Sequence, residues 1–123
     1  GARATCLPAQ AIQAGQLVPA VSYVQAQRLR RRFRNEVAAL LGQVDAFLTP
    51  TVVNVAPGRE TTGDSSLQAP WSQIGLPSIS LPSGLSAERL PLAVQLAGGW
   101  FGEEALLAAA RWVEERLDPL PTP

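Results

Sequence analysis

Apolar positions along the chain repeat first with a helical period and then with a strand period, and the change of period sets out the elements. From about Val21, the residues Ala26, Leu29, Phe33, Val37, Leu40, Leu41 and Val44 fall three or four apart. That spacing stacks them on one stripe of a long helix, with Gly42 placed where a left-handed terminating residue is expected. Ala46-Phe47-Leu48-Thr49 is then a short apolar run stopped by Pro50, and Thr51-Val52-Val53-Asn54-Val55 continues it toward Pro57. This predicts a buried strand followed by more extended chain. Residues 57–70 hold Gly58, Gly63, Thr61, Thr62 and Asp64-Ser65-Ser66, a turn-rich loop whose last residues are placed to cap a short helix carrying Trp71 and Ile74.

Ser78-Ile79-Ser80-Leu81 alternates small polar and apolar side chains, as a half-buried strand does, between Pro77 and Pro82. Leu92 to Leu96 predicts its hairpin partner across a connection containing Gly84, Ser86, Glu88 and Pro91. A last helix runs from about Glu103 to Leu117. Leu106, Ala110, Val113 and Leu117 share its apolar face, two glutamates open it, and Pro119, Pro121 and Pro123 forbid its continuation. Residues 1–20 read as a lead-in punctuated by Gly15 and Pro19, with a weak helical signal at Ala9 to Ala14. The order expected is helix, strand, short helix, strand, strand, helix, an α/β arrangement. Three short strands cover a core barely, and a larger sheet would hold them more naturally.

Composition sharpens this. The chain has 123 residues, 46% of them apolar, which is one domain's worth. Ten basic and ten acidic residues cancel, so the charge balance asks for neither nucleic acid nor a membrane surface. No run of eighteen apolar residues is present, and Cys6 is the single cysteine, which favours a cytoplasmic setting. The absence of an initiator methionine raises the expectation of a processed or excised piece. All ten basic residues are arginines and there is no histidine, so the two side chains most used as bases near neutral pH are missing.

Candidate chemistry is correspondingly thin. Arg28, Arg30, Arg31, Arg32 and Arg34 spread around much of the helix, which suits a solvated face with an Arg32–Glu36 pair better than a phosphate-binding surface. Five serines lie between positions 72 and 86, but none has an ordinary proton acceptor or a G-x-S-x-G elbow. Glu103-Glu104 and Glu114-Glu115 are adjacent on a helix, so the members of each pair point about 100° apart and cannot share a site. No metal-ligand spacing occurs, and no cofactor is expected. Of Trp71, Trp100 and Trp112, only Trp71 lies beside a loop of the kind that lines pockets.

Several consecutive blocks carry a resemblance: Val21 to Arg28, Val44 to Thr51, Thr61-Thr62-Gly63-Asp64, Ala69-Pro70-Trp71-Ser72, Gly75 to Gly84, Leu90 to Gly98 and Phe101 to Leu107. In this order, over about residues 16–117, they resemble the C-terminal part of amidase signature hydrolases. The resemblance implies a mixed-sheet α/β sandwich and hydrolysis of carboxylic amides by a serine, a second serine in a cis peptide and a lysine. Neither the lysine nor the Gly/Ser-rich signature occurs here, so no catalytic residue carries over. It also implies that the loop and strand from Asp64 to Gly84 run beside the acyl-binding pocket, making Asp64, Gln68, Trp71 and Ile74 the candidate substrate contacts. Plain packing is the competing account of all four. The partners implied are a missing N-terminal amidase portion or self-association, with a small amide substrate only in the complete enzyme. The alternative is a non-catalytic interaction module on the same scaffold.

Overall fold

The computed structural model describes residues 7–117; Cys6 and the three C-terminal prolines lie outside them. The elements are α1 (Leu7–Gln16), α2 (Ala20–Leu41), β1 (Phe47–Pro50), α3 (Ala69–Ile74), β2 (Ser78–Leu85), β3 (Pro91–Ala97) and α4 (Glu103–Glu114). The expected order therefore stands, with one addition: the lead-in holds a ten-residue helix, α1.

The sheet runs β1-β3-β2, with both pairings antiparallel. Phe47 lies opposite Ala97 on one side of β3, and Ser78 lies opposite the same Ala97 on the other. Because side chains alternate across a sheet, this register sorts the residues into two faces. Phe47 and Ala97 meet Val37, Leu76, Trp71 and Ile74 beneath α2 and α3, whereas Leu81 and Leu96 meet Leu106 and Ala110 beneath α4. The result is three layers: two helices, a sheet, and a helix.

α4 forms as its pattern predicts. Leu106 and Ala110 are buried, Val113 and Leu117 pack beside them, and Glu103 and Glu104 occupy the first turn, where the helix dipole favours negative charge. The stripe on α2 is only partly used. Val37 is buried and Phe33 and Leu41 pack beside it, but Leu29, Leu40 and Val44 are 67%, 50% and 46% exposed. α3, the layer α2 packs against, reaches only its C-terminal half, which leaves Leu29 uncovered, while Leu40 and Val44 lie off the Phe33, Val37 and Leu41 line that joins the cluster.

Three terminations differ from expectation. Gly42 is right-handed (φ −73°, ψ −8°), because α2 closes by tightening its last turn through Gly42 N–H to Ala38 O and Gln43 N–H to Leu40 O. The left-handed cap follows α3 instead. Gly75 has φ +73°, its N–H reaches Ser72 O, and the Leu76 N–H reaches Trp71 O, which is a Schellman motif with Leu76 and Trp71 in one apolar cluster. β1 also stops early. After the Thr51 N–H to Ala93 O bond the chain leaves the sheet, and Val52 and Val53 are exposed rather than buried.

Pro82 does not end β2, which runs on to Leu85 through an irregularity between Pro82 and Gly84. The ladder explains why. Gly98 N–H donates to Pro77 O, so residues 77, 79 and 81 face β3, while 78, 80 and 82 face the outer edge. A proline at position 82 therefore removes no hydrogen bond to β3.

Candidate functional site

The loop between β1 and α3 borders an open groove of about 810 Å³, most of whose lining residues are exposed. Its wall is built by Val52, Asn54, Val55 and Pro57 on one side and Thr61, Gly63, Asp64 and Gln68 on the other, with Pro91 beneath. A turn holds this second side. Asp64 does not cap α3; its carboxylate accepts the Ser66 N–H at 2.8 Å, an Asx turn, while Gln68 N–H and Ala69 N–H both donate to Ser65 O. Gln68 then stands at the N-cap of α3. Its carboxamide can both donate and accept, whereas an ionised Asp64 accepts only.

The two hydrogen bonds from Ser66, the backbone one first, hold the Asp64 carboxyl below the usual carboxylate range. Asp64 is therefore charged at neutral pH and a weak base, which suits it to holding a donor group rather than to removing a proton.

Trp71 and Ile74 sit elsewhere. They are three apart on α3, so both point at the sheet. Trp71 stacks on Phe47 with centroids 5.3 Å apart and an interplanar angle of 11°. Ile74 is 1% exposed in the core, and its carbonyl accepts the Trp100 Nε1–H at 2.8 Å. Of the four candidate positions, the structure brings Asp64 and Gln68 together on the groove wall and places Trp71 and Ile74 behind it, in the support.

The residue that ties wall to support is Gln95, a buried polar side chain 4% exposed. Its Nε2 donates to Leu67 O at 2.8 Å, Thr49 Oγ1 at 3.0 Å and Pro50 O at 3.3 Å, joining the turn before α3 to β1 and β3. The available signal was a lone amide inside the apolar run Leu92-Ala93-Val94-Gln95-Leu96. Such an amide is either exposed or fully bonded.

The arginines of α2 leave hollows between their side chains, lined by Tyr23, Gln27, Arg28, Arg30, Arg31 and Arg34, but a single helix supplies every wall. Arg32 pairs with Glu36 at 2.8 Å, and Arg34 lies 4.5 Å from the Trp100 ring centroid. Among the described residues no group of three His, Cys, Asp or Glu side chains is placed to hold a metal ion, and no helix is long and apolar enough to cross a membrane.

The scaffold is α/β and layered, the groove beside its loop is lined by both apolar and polar side chains, and the chain has no lysine or histidine. Similarity to known proteins makes this specific. The amidase family model matches residues 7–107, and the chain belongs to that family. It is 38% identical over 104 residues to the A subunit of the glutamyl-tRNA(Gln) amidotransferase of Parvibaculum lavamentivorans, covering 78% of this chain and 21% of the relative. The Methylorubrum extorquens protein of the same name is 36% identical over 111 residues, covering 82% and 22%. The chain thus spans about a fifth of the length of these relatives. A crystal structure of an amidase superposes with a TM-score of 0.77 at 29% identity, covering 89% of this chain and 28% of that one. The crystal structure of the corresponding amidotransferase protein from Thermotoga maritima gives 0.56 at 27% identity, covering 85% and 26%.

Proposed function

We propose that this chain serves as the C-terminal part of an amidase-type hydrolase, supplying one wall of the pocket that holds a small carboxylic amide and none of the groups that move its protons. The observation that carries the reading is the pairing of a charged acceptor, Asp64, with a two-way hydrogen-bonding amide, Gln68, on one groove wall of a chain without lysine or histidine. Arginine stays protonated and cannot take a proton from a serine hydroxyl, so the nucleophile's base comes from outside these residues. Trp71 and Ile74 act through position: their packing fixes α3, and α3 fixes Gln68. The exposed apolar stripe on the N-terminal half of α2 supports a chain that works against a larger body, which on this reading is the upstream amidase portion.

A chimera tests this. Residues 7–117 replace the matching segment of the amidase whose structure superposes at 0.77, and aliphatic and aryl amides are offered. The expected result is turnover by the chimera, with Asp64→Asn and Gln68→Ala each raising KM about tenfold, the effect of one lost hydrogen bond to substrate, and with the melting temperature unchanged in Gln68→Ala, whose side chain caps nothing. A folded, active chimera indifferent to both substitutions would overturn the assignment of the wall.

A further inference from the structure

The loop that forms both walls of the groove leaves the sheet at Thr51 and returns to it at Leu67. Gln95 holds the return through Leu67 O. The departure has a holder of its own: Thr51 N–H donates to Ala93 O on β3, and Thr51 Oγ1 lies 2.9 Å from Ser80 Oγ on β2. Directly after Thr51 come Val52 and Asn54, which line the wall opposite Asp64 and Gln68.

The register explains how the two hydroxyls meet. β1 and β2 flank β3, so they lie two strand spacings apart, roughly 10 Å, and their side chains join only by passing over the face of β3. Side-chain alternation puts Ser80 on the face that α3 covers, together with Thr49, Ala93 and Gln95. Thr51 bonds to Ala93 and Ser80 lies opposite Gln95, so the contact runs diagonally over β3 past position 93, where the side chain is a single methyl. Ser80 and Gln95 are thus register partners that hold opposite ends of one loop. Every atom of the arrangement belongs to this chain, and none of it depends on what lies beyond the sheet edge.

We propose that Ser80 is a positioning residue for the substrate groove: through the Thr51 hydroxyl it fixes the wall carrying Val52 and Asn54, while Gln95 fixes the wall carrying Asp64 and Gln68, and the two together set the spacing between the walls. This rests on the reading that the groove holds the amide. Ser80 moves no proton in the reaction, because its partner is another hydroxyl, which is no base at neutral pH. The fold hardly needs the bond either. Ser80 is exposed and Thr51 half-buried, so a neutral hydrogen bond between them adds little to stability, whereas a wall displaced by about 1 Å is felt by whatever binds against it.

Two measurements test the assignment. In the whole chain, Ser80→Ala is expected to speed hydrogen exchange of the Thr51 amide about fivefold and to leave that of Ala69, at the other end of the loop, unchanged. In the chimera, Ser80→Ala and Thr51→Val are each expected to raise KM about fivefold at unchanged kcat, and the double variant no more than either alone, because the same bond is lost in all three. Ser80→Thr keeps the hydroxyl and is expected to keep the KM. Ala93→Val keeps both hydroxyls but crowds the space between them, and is expected to act like Ser80→Ala. Ser78→Ala, two positions back on the same face, is expected to change neither KM nor exchange. Three results would overturn the proposal: a Thr51 amide unchanged in Ser80→Ala, KM effects that add in the double variant, or a KM indifferent to Ser80→Ala in a chimera that responds to Asp64→Asn and Gln68→Ala. Indifference to Asp64→Asn and Gln68→Ala as well, with the Thr51 amide loosened, would instead strike down the reading of the groove, and the substrate role of Ser80 with it.

Discussion

Replacing Gln95 by leucine probes the join between the groove wall and the sheet with little change of volume. The substitution removes a donor that reaches Leu67 O at 2.8 Å, Thr49 Oγ1 at 3.0 Å and Pro50 O at 3.3 Å. An amide nitrogen has two hydrogens, so two of these contacts are full bonds, each worth about 1 kcal/mol net. The Thr49 hydroxyl rotates to another partner, whereas the Leu67 carbonyl cannot, and stranding it half-buried adds up to about 1 kcal/mol. The expected loss is therefore about 2–3 kcal/mol, or roughly 10 °C in melting temperature for a domain of this size. The loss is local in origin. Limited proteolysis is expected to cut residues 52–68 well below the melting temperature in Gln95→Leu and not in the unaltered chain.

Glutamate at the same position gives the sign control. It faces three oxygens with a carboxylate, so its folded pKa is raised above the unfolded value. The native state then binds more protons than the unfolded state between those two values, and stability falls as pH rises through that window. Gln95→Glu is thus expected to recover stability on acidification. A Gln95→Leu protein that melts within about 1 °C of the unaltered chain, with the loop equally resistant to protease, would refute the idea that this amide holds the wall; the expected shift is several times that.

Other outcomes follow from single contacts. The indole N–H of Trp71 is buried without a hydrogen-bond partner. Trp71→Phe therefore removes an unsatisfied donor and is expected to change stability by less than about 1.5 kcal/mol. Trp71→Ala leaves Phe47 and Leu76 facing a void and costs about 3–5 kcal/mol by denaturant titration. A side-chain carbon at Gly98 would stand 3.1 Å from Leu106 Cβ and 3.3 Å from its Cδ1. Gly98→Ala is accordingly expected to push α4 off the sheet at a cost of about 1–3 kcal/mol, read by the same titration. Asp64 has a folded pKa below its unfolded value, so its contribution is present above the unfolded value and is lost as pH falls through the folded one. Carbon-detected NMR titration is expected to find its midpoint below the ordinary aspartate value of about 3.9, and Ser66→Pro, which removes the backbone donor, is expected to raise it.

Much of this fold is legible in the sequence where local pattern and tertiary role coincide. The α4 stripe, the glutamates in its first turn and the alternation at Ser78 to Leu81 each say the same thing at both levels, and the structure agrees with them. Where a residue's role depends on what lies opposite, the sequence is silent. The stripe on α2 promises burial along its whole length, yet α3 reaches only the C-terminal half. Pro82 looks like a stop, and only the phase of the ladder shows that its nitrogen faces away from β3.

The candidate site divides in the same way. Asp64, Gln68, Trp71 and Ile74 are close in sequence, but the Asx turn sends the first two to the groove and the helical phase sends the last two to the sheet. Gln95 lies 27 positions beyond Gln68 (95 − 68), and nothing local links it to the turn it secures. The turn to the sheet is what makes it a contact.

The central claim is that the base resides outside this chain. Purified, folded chain offered an activated anilide at neutral pH is predicted to release no amine above the buffer rate at any enzyme concentration. Amine release in proportion to the chain, abolished by changing one of its own serines to alanine, would contradict the account.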